Sequence, residues 1–467
     1  MIALSLTEIA ELTGGAPHGV EPAAAPVVTG AVVTDSREAE PGSLYVARIG
    51  ERMDGHLFVA AARDQGAVAA LTSRVVDELP CVVVDDVQAA FVALSRAVLD
   101  RARDLTVIGI TGSSGKTSTK DLLGTVLATS GPTIAPVGSY NSEVGVPLTV
   151  TRVTDDTRFL VVEMGARGIG HIEYLTRIAP PRIGVVLNVG TAHVGEFGSR
   201  EAIGRAKAEL VEALPADGVA VLNADDPVVR SMSERTEARV VLVGEASDAV
   251  VRAEDVGLAS DGRASFRVVT PAGEAPVHLR LVGRHHVGNA LAVIAVALEC
   301  GMSLDATVAA VADAGVVSRW RMEVTQRPDG VTIVNDAYNA NPDSMRAALA
   351  ALETMGTGRR TWAVLGSMLE LGDESDDDHA EVGAEAQRRG VDELLVVGPT
   401  ARPMADIPAT PDTRIRWVED ADAAEVVLRA EVAPPDVVLF KSSRDAGLRW
   451  LGDRLTTTDR TTQEDPQ

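Results

Sequence analysis

The sequence predicts an α/β protein of three domains, a small mixed α/β unit followed by two doubly wound parallel-sheet units. Three observations carry this. At 467 residues the chain exceeds what one ordinary core accommodates, and about three domains are expected. From residue 105 short, continuously apolar runs alternate with helical patterns, as parallel strands covered on both faces require. Near residue 317 that alternation breaks off and restarts, which marks a second sheet.

The elements follow in order. "MIALSLTEIAELTGG" reads as a short strand and helix. "GAVVTDSREAEPGSLYVARIG" reads as strands and "GHLFVAAARDQGAVAAL" as a helix, giving a first domain over 1–104. In the second domain, 105–316, "LTVIGITG", "FLVVEMGA", "RIGVVLNVG" and "GVAVLNADD" are strands. "KTSTKDLLGTVLATSG" is a helix closed by glycine, and "HIEYLTRIAP" and "SREAIGRAKAELVEALPADG" are further helices. "RASFRVVTPAGEAPVHLRLVG" reads as an antiparallel appendage, and "HHVGNALAVIAVALECG" and "SLDATVAAVADAG" as closing helices. The third domain, 317–455, sets the strands "VTIVND", "RTWAVLGSM", "DELLVVG" and "DVVLFK" around helices such as "DSMRAALAALETMG". The polar tail 456–467 is expected to be disordered.

Composition narrows the function. A net charge of −24 repels polyanions, which excludes non-specific nucleic-acid and anionic-membrane binding and leaves an anionic substrate only in a locally positive pocket. Cys81 and Cys300 lack metal-ligand spacing and read as core cysteines. The chain start has no basic n-region, and no run reaches the ~18 apolar residues of a membrane span. A soluble, cytoplasmic protein is expected.

"VIGITGSSGKTSTK" is the sharpest motif. An apolar strand enters a Gly-rich turn and Lys-Thr opens a helix, so backbone N–H groups point at phosphates, Lys116 supplies charge and the Thr117 hydroxyl can hold Mg²⁺. The strict P-loop pattern wants glycine where Ile110 stands, so the motif is the shorter Gly112-x-x-Gly115-Lys116-Thr117. Glu163 ends a strand at the ligand-facing edge of a parallel sheet, as a metal-holding carboxylate or as a surface cap. His193, in the loop "NVGTAHVGEFGS", is catalytic or an ordinary loop histidine. Lys207 shares a helix face with Ile203, Leu210, Val211 and Leu214, although the chain has only four lysines, Lys116, Lys120, Lys207 and Lys441, against 39 arginines. Either Lys207 snorkels to water, or it does what only a primary amine can, such as forming a carbamate with CO₂. "VNDAYNANPDSM" is an amide-rich loop that reads as a ligand site or as a turn with an N-cap. Lys441 again ends a strand. "GDESDDDHAEVG" reads as a solvated helix start.

These runs together resemble the Mur ligases, the ATP-dependent enzymes that build the peptide stem of the cell wall, over nearly the whole chain. The motifs in question are "TDSREAEPGSLYVARIGERMDGHLF", "TGSSGKT", "SYNSEVGVPLT", "EMGA", "NVGTAHVGEFGS", "AKAEL", "HHVGNALAV" and "SRWRMEV". "DAYNANPDSM" and "VLGSMLELGDES" resemble the member that adds D-alanyl-D-alanine. Two departures stand out, Ser142 where a second Asn is usual and Ser442 where glycine is common. The resemblance implies a first domain that binds uridine nucleotide near Ser36 and Arg37, a central P-loop ATPase domain and a C-terminal Rossmann-like domain. It implies ATP at Thr111, Gly112, Ser113, Ser114, Gly115, Lys116, Thr117, Ser118, Asn289, Arg321 and Asp336, and substrate at Asn141, Asn339, Asn341, Lys441 and Arg444. One Mg²⁺ falls to Thr117 and Glu163, and a second to His193 and a carbamate on Lys207. Lys116, Glu163, His193 and Lys207 are the implied catalytic set.

The activity implied is ligation of D-alanyl-D-alanine to UDP-MurNAc-tripeptide through an acyl phosphate by a monomeric enzyme. Two rivals are a folylpolyglutamate-type ligase, which lacks the uridine-site run, and a nucleotide-dependent switch. For the latter, "NADD" at 223–226 has Ala224 where a guanine-reading motif needs Lys.

Overall fold

The computed structural model describes residues 1–21, 24–50, 53–190 and 194–457. Three principal sheets organise it, all with parallel cores. The first has five strands in the order Ala16–His18, Cys81–Val83, Ala69–Thr72, Leu44–Val46 and Val32–Val33, with only the first pair antiparallel. The stretch "GHLFVAAARDQGAVAAL" is not one helix. The helix Val59–Gln65 stops at Gly66, whose φ of +116° only glycine adopts readily, and Ala69–Thr72 returns as a strand. Helix Val87–Arg101 buries Phe91, Leu94 and Val98 in a core shared with Leu160, Ile172 and Leu210 of the next unit. The Gln88 side chain donates to the Glu143 carbonyl (2.7 Å), and Ile2 N–H to Val153 (3.1 Å), across the same seam.

The central sheet has nine strands, in the order Gly273–Val282, Arg263–Thr270, Val251–Leu258, Arg239–Gly244, Val219–Asn223, Ile183–Val186, Thr106–Thr111, Phe159–Glu163 and Thr133–Ile134. Strands Arg263–Thr270 and Gly273–Val282 pair antiparallel as expected, and they are continuous with the main sheet. Val251–Leu258 pairs parallel with Arg239–Gly244 and extends the main sheet. Strand Thr106–Thr111 is flanked by two later strands, with Phe159–Glu163 and then Thr133–Ile134 on one side and Ile183–Val186 on the other. Its carboxyl end is therefore a topological switch point, where a crevice opens. Helix Lys116–Ala128 packs above it with helix His286–Glu299 in one apolar core. The helix ends at Ala128, and the Ser130 and Gly131 N–H groups close its last turn on the Leu127 carbonyl.

The third sheet runs Glu323–Gln326, Thr332–Asn335, Val437–Lys441, Thr361–Leu365, Glu393–Val397 and Arg414–Val418, antiparallel only at its first pair. Helices Pro342–Met355 and Ser375–Arg388 cover one face, and Ala421–Glu431 and Leu448–Arg454 the other. The acidic run opens helix Ser375–Arg388, where Asp376, Asp377 and Asp378 favour the positive helix end. Of the tail 456–467 expected to be disordered, Thr456 bonds back to the Asp453 carbonyl (2.7 Å), and 458–467 lie outside the described residues. Among the described residues no helix is long and apolar enough to cross a membrane.

Candidate active site

A cleft of about 930 Å³ opens at the switch point, between the carboxyl edge of the central sheet and the loops of the third. Its floor is the Gly-rich turn. Gly115 has φ +79°, and a methyl group there would lie 2.8 Å from the Asn289 side-chain oxygen, so the position needs glycine twice over. The turn is braced from the next strand. Ser114 N–H donates to Asn188 Oδ1 (3.0 Å), and Ser113 Oγ accepts from Gly190 N–H (2.9 Å). Lys116 Nζ donates to the Gly112 carbonyl at 2.7 Å, curling back over the turn. Burial lowers the Lys116 pKa, Glu163 opposes that shift and the Arg321 charge adds to it.

Glu163 is 3% exposed, which excludes the surface-cap reading. Thr117 Oγ1 donates to its Oε2 (2.9 Å), and Ser139 Oγ (2.8 Å) and Asn141 Nδ2 (2.7 Å) donate to Oε1. Arg321 of the linker to the third domain donates to Thr117 Oγ1 at 3.2 Å. It is held between Trp320 and Met322, both in left-handed conformations (φ +59° and +51°) rare for large side chains. The Trp320 indole N–H is pinned on the Asp453 carboxylate, at 3.1 and 3.0 Å. The oxygens of Thr117 and Glu163 are hard donors that suit Mg²⁺, an ion that takes few protein ligands and keeps phosphate and water for the rest.

Lys207 lies on helix Arg200–Glu212 and is 5% exposed, so it does not snorkel. Burial, then the Lys116 charge, drives its pKa well below the ordinary lysine value. Among the described residues no acceptor bonds its Nζ. His193 lies outside the described residues.

On the opposite wall Lys441 is 2% exposed and donates to Asp336 Oδ2 (2.6 Å) and to the Asn339 carbonyl (3.1 Å). Asp336 Oδ1 accepts from Met322 N–H (3.0 Å), which ties the linker to this wall. Tyr338 is faced by the guanidinium groups of Arg321 (4.2 Å) and Arg444 (5.9 Å).

Family models match in three successive segments: the Mur ligase family catalytic domain over 30–102, the Mur ligase middle domain over 110–297, and the Mur ligase glutamate ligase domain over 320–444. The UDP-N-acetylmuramoyl-tripeptide--D-alanyl-D-alanine ligase of Mycobacterium tuberculosis is 46% identical, covering 98% of this chain and 99% of that protein. The chain belongs to the Mur ligase family. A crystal structure of MurF from Acinetobacter baumannii superposes with a TM-score of 0.86 at 31% identity, covering 97% of this chain and 99% of that one. MurF from Thermotoga maritima in complex with ADP gives 0.79 at 29% identity, covering 92% and 97%.

This Mur ligase brings Ser113, Ser114, Gly115, Lys116, Thr117, Ser118, Asn141, Glu163, Lys207, Asn289, Arg321, Asp336, Asn339, Asn341, Lys441 and Arg444 to one cleft. Thr111 and Gly112 lie beneath it, and Thr111 Oγ1 is spent on the Met164 carbonyl (2.9 Å). Ser36 and Arg37 lie in the first domain, away from this cleft, with Arg37 paired to Asp35. Asn341 is also an N-cap, its side chain accepting from Ser344 N–H (2.9 Å). Of the two departures, Ser142 accepts from Gly145 N–H (3.3 Å) and Ser442 is buried against Gly366. Sequence reasoning missed Ser139 and Tyr338. Both sit inside quoted motifs, but only the fold shows that Ser139 reaches Glu163.

Proposed function

We propose that this chain is the ATP-dependent ligase that joins D-alanyl-D-alanine to UDP-MurNAc-tripeptide, yielding UDP-MurNAc-pentapeptide, ADP and phosphate for peptidoglycan synthesis. The observation that carries this reading is end-to-end similarity to a ligase of that name, with the phosphate-side groups Lys116, Thr117, Glu163 and Arg321 converging in one cleft. In this reading residues 1–104 bind the uridine nucleotide through Ser36 and Arg37, 105–316 bind ATP, and 317–455 present the dipeptide.

The chemistry transfers a γ-phosphoryl group to the tripeptide carboxylate, and the dipeptide amine then displaces phosphate from the acyl phosphate. Negative charge gathers at phosphoryl oxygens in both steps, so fixed cations and oriented donors do most of the work. Lys116 and the backbone N–H groups of 115–117 cradle the phosphates, while those of Ser113 and Ser114 are held by Asn188. Arg321 brings a second cation when the third domain is docked. Asn289 flanks the turn on the nucleoside side, and Lys441, Asn339 and Arg444 face it with donors suited to a carboxylate. Thr117 and Glu163 would hold Mg²⁺, which when bound neutralises phosphate charge. The second ion, assigned by resemblance to His193 and Lys207, belongs to the same proposal. So does a carbamate on Lys207. Its support is the buried, deprotonation-prone amine, since only an uncharged amine adds CO₂, releasing one proton and leaving an anion.

The test is phosphate release from ATP with UDP-MurNAc-tripeptide, with and without D-alanyl-D-alanine. Release that requires all three substrates, with pentapeptide recovered by mass, is the expected result. Release indifferent to the dipeptide, or turnover with a folylpolyglutamate substrate instead, overturns the assignment.

A further inference from the structure

Lys120 is the one lysine that the reaction leaves unused, and it is 1% exposed. It stands one helical turn after Lys116 and points away from the cleft floor, into the loop 136–141. Its Nζ donates to the carbonyls of Pro136 and Gly138, the latter at 2.9 Å, and lies 2.7 Å from Asp121 Oδ1 as an ion pair without hydrogen-bond alignment. Two carbonyls accept from the ammonium, and the Asp121 carboxylate beside it balances its charge. A planar guanidinium could not meet them in so enclosed a site, which accounts for lysine in an arginine-rich chain.

Asp121 carries the connection on. Its Oδ2 accepts from Ser318 N–H (3.2 Å), and Ser318 Oγ accepts from Gly138 N–H (3.2 Å). Ser318 is 5% exposed and lies three residues before Arg321, on the linker between the second and third domains. The loop it meets supplies Ser139 and Asn141, the two donors to Glu163 Oε1. A closed ring, Lys120–Gly138–Ser318–Asp121, therefore joins the helix after the Gly-rich turn, the loop that orients Glu163 and the linker that carries Arg321.

We propose that Lys120 and Asp121 are positioning residues that hold the loop 136–141 and the linker at Ser318 in one register. Ser139, Asn141 and Arg321 then reach the Thr117–Glu163 pair together. The inference rests on the reading of Thr117 and Glu163 as phosphate-side groups. The pair bonds two elements, and both of these end on the same two side chains, Thr117 and Glu163.

The experiment is a double-mutant cycle on the full chain, with kcat, KM for ATP and the thermal unfolding midpoint measured for each variant. Ser318→Ala lowers kcat by about tenfold, as a small misplacement of reacting groups does, and leaves the midpoint and KM near those of the parent. Ser318→Thr, which keeps the hydroxyl, restores most of the loss. In the double variant Lys120→Met/Ser318→Ala the kcat loss matches the worse single variant, as coupled residues require. If Lys120→Met is insoluble, Asp121→Asn takes its place in the cycle. Multiplicative losses, or equal losses for Ser318→Ala and Ser318→Thr, overturn the proposal. Glu163→Gln is the control. Loss of turnover there beside an additive cycle sinks the positioning role alone, and full turnover there removes the reading of the site and this inference with it.

Discussion

Gly195 and Gly372 meet backbone to backbone between the central and third units. A methyl group on Gly195 would lie 2.5 Å from the Gly372 nitrogen, and one on Gly372 2.8 Å from the Gly195 Cα. Gly195 belongs to the short helix Val194–Phe197 of the central unit, and Gly372 opens a 3-10 turn of the third. A few residues earlier Gly190 abuts the Asp343 carboxylate at the start of helix Pro342–Met355. The third domain thus touches both ends of the segment that contains His193.

Gly195→Ala is expected to wedge the domains apart and to lower kcat/KM by about 10- to 100-fold, since placement errors near 1 Å cost that much. Initial rates and melting curves check it. The melting midpoint should hold, because the contact lies between domains rather than in a core. An unchanged rate would show that the working enzyme does not use this contact.

Glu163→Gln keeps the shape and removes the charge. Turnover should fall by about 10²- to 10³-fold, the scale for losing one preorganised electrostatic group. The Mg²⁺ concentration for half-maximal rate should rise, while ADP binding by calorimetry persists through the turn and Lys116. Equal Mg²⁺ dependence in the two proteins would place the ion elsewhere.

Lys207→Ala and Lys207→Arg separate a carbamate from a cation. Both should lose most activity, and millimolar short carboxylates should restore part of it to the alanine variant only, because the arginine side chain fills the site. An active arginine variant would mean that a positive charge suffices.

Stability should fall on acidification below neutrality. His286 lies buried, and burial, then its neighbour His285, lowers its pKa well below 6.5. The unfolded chain therefore takes up protons below about pH 6.5 that the folded chain refuses. Stability is complete above that pH and is lost as pH drops toward the folded values. Urea midpoints between pH 7.5 and 5 measure this, and His286→Gln should flatten the slope. A parent midpoint that rises on acidification would contradict it.

Much of this was legible in the sequence because it was local. The Gly-rich turn, the strand ends at Glu163 and Lys441 and the Lys207 helix each follow from periodicity within a short window. What escaped was tertiary. Ser139 gains its role only because strand Phe159–Glu163 brings Glu163 beside it, and Lys120 only because a distant linker returns to Gly138. The glycine at 66 broke a helix that its apolar pattern favoured, since a left-handed turn there outweighs propensity. Asn341 kept both readings, capping a helix while lining the cleft.

The burial of the lysines has a practical consequence for labelling chemistry. Lys120, Lys207 and Lys441 are 1%, 5% and 2% exposed, and Lys116 is half-buried in the cleft. The outer surface takes its positive charge from arginine, which acylating esters do not attack at neutral pH. Among the lysines, an amine-directed dye or coupling resin therefore meets only Lys116, at the mouth of the cleft. Nucleotide bound over Lys116 should shield that target, so the fraction of tagged molecules reads out occupancy directly.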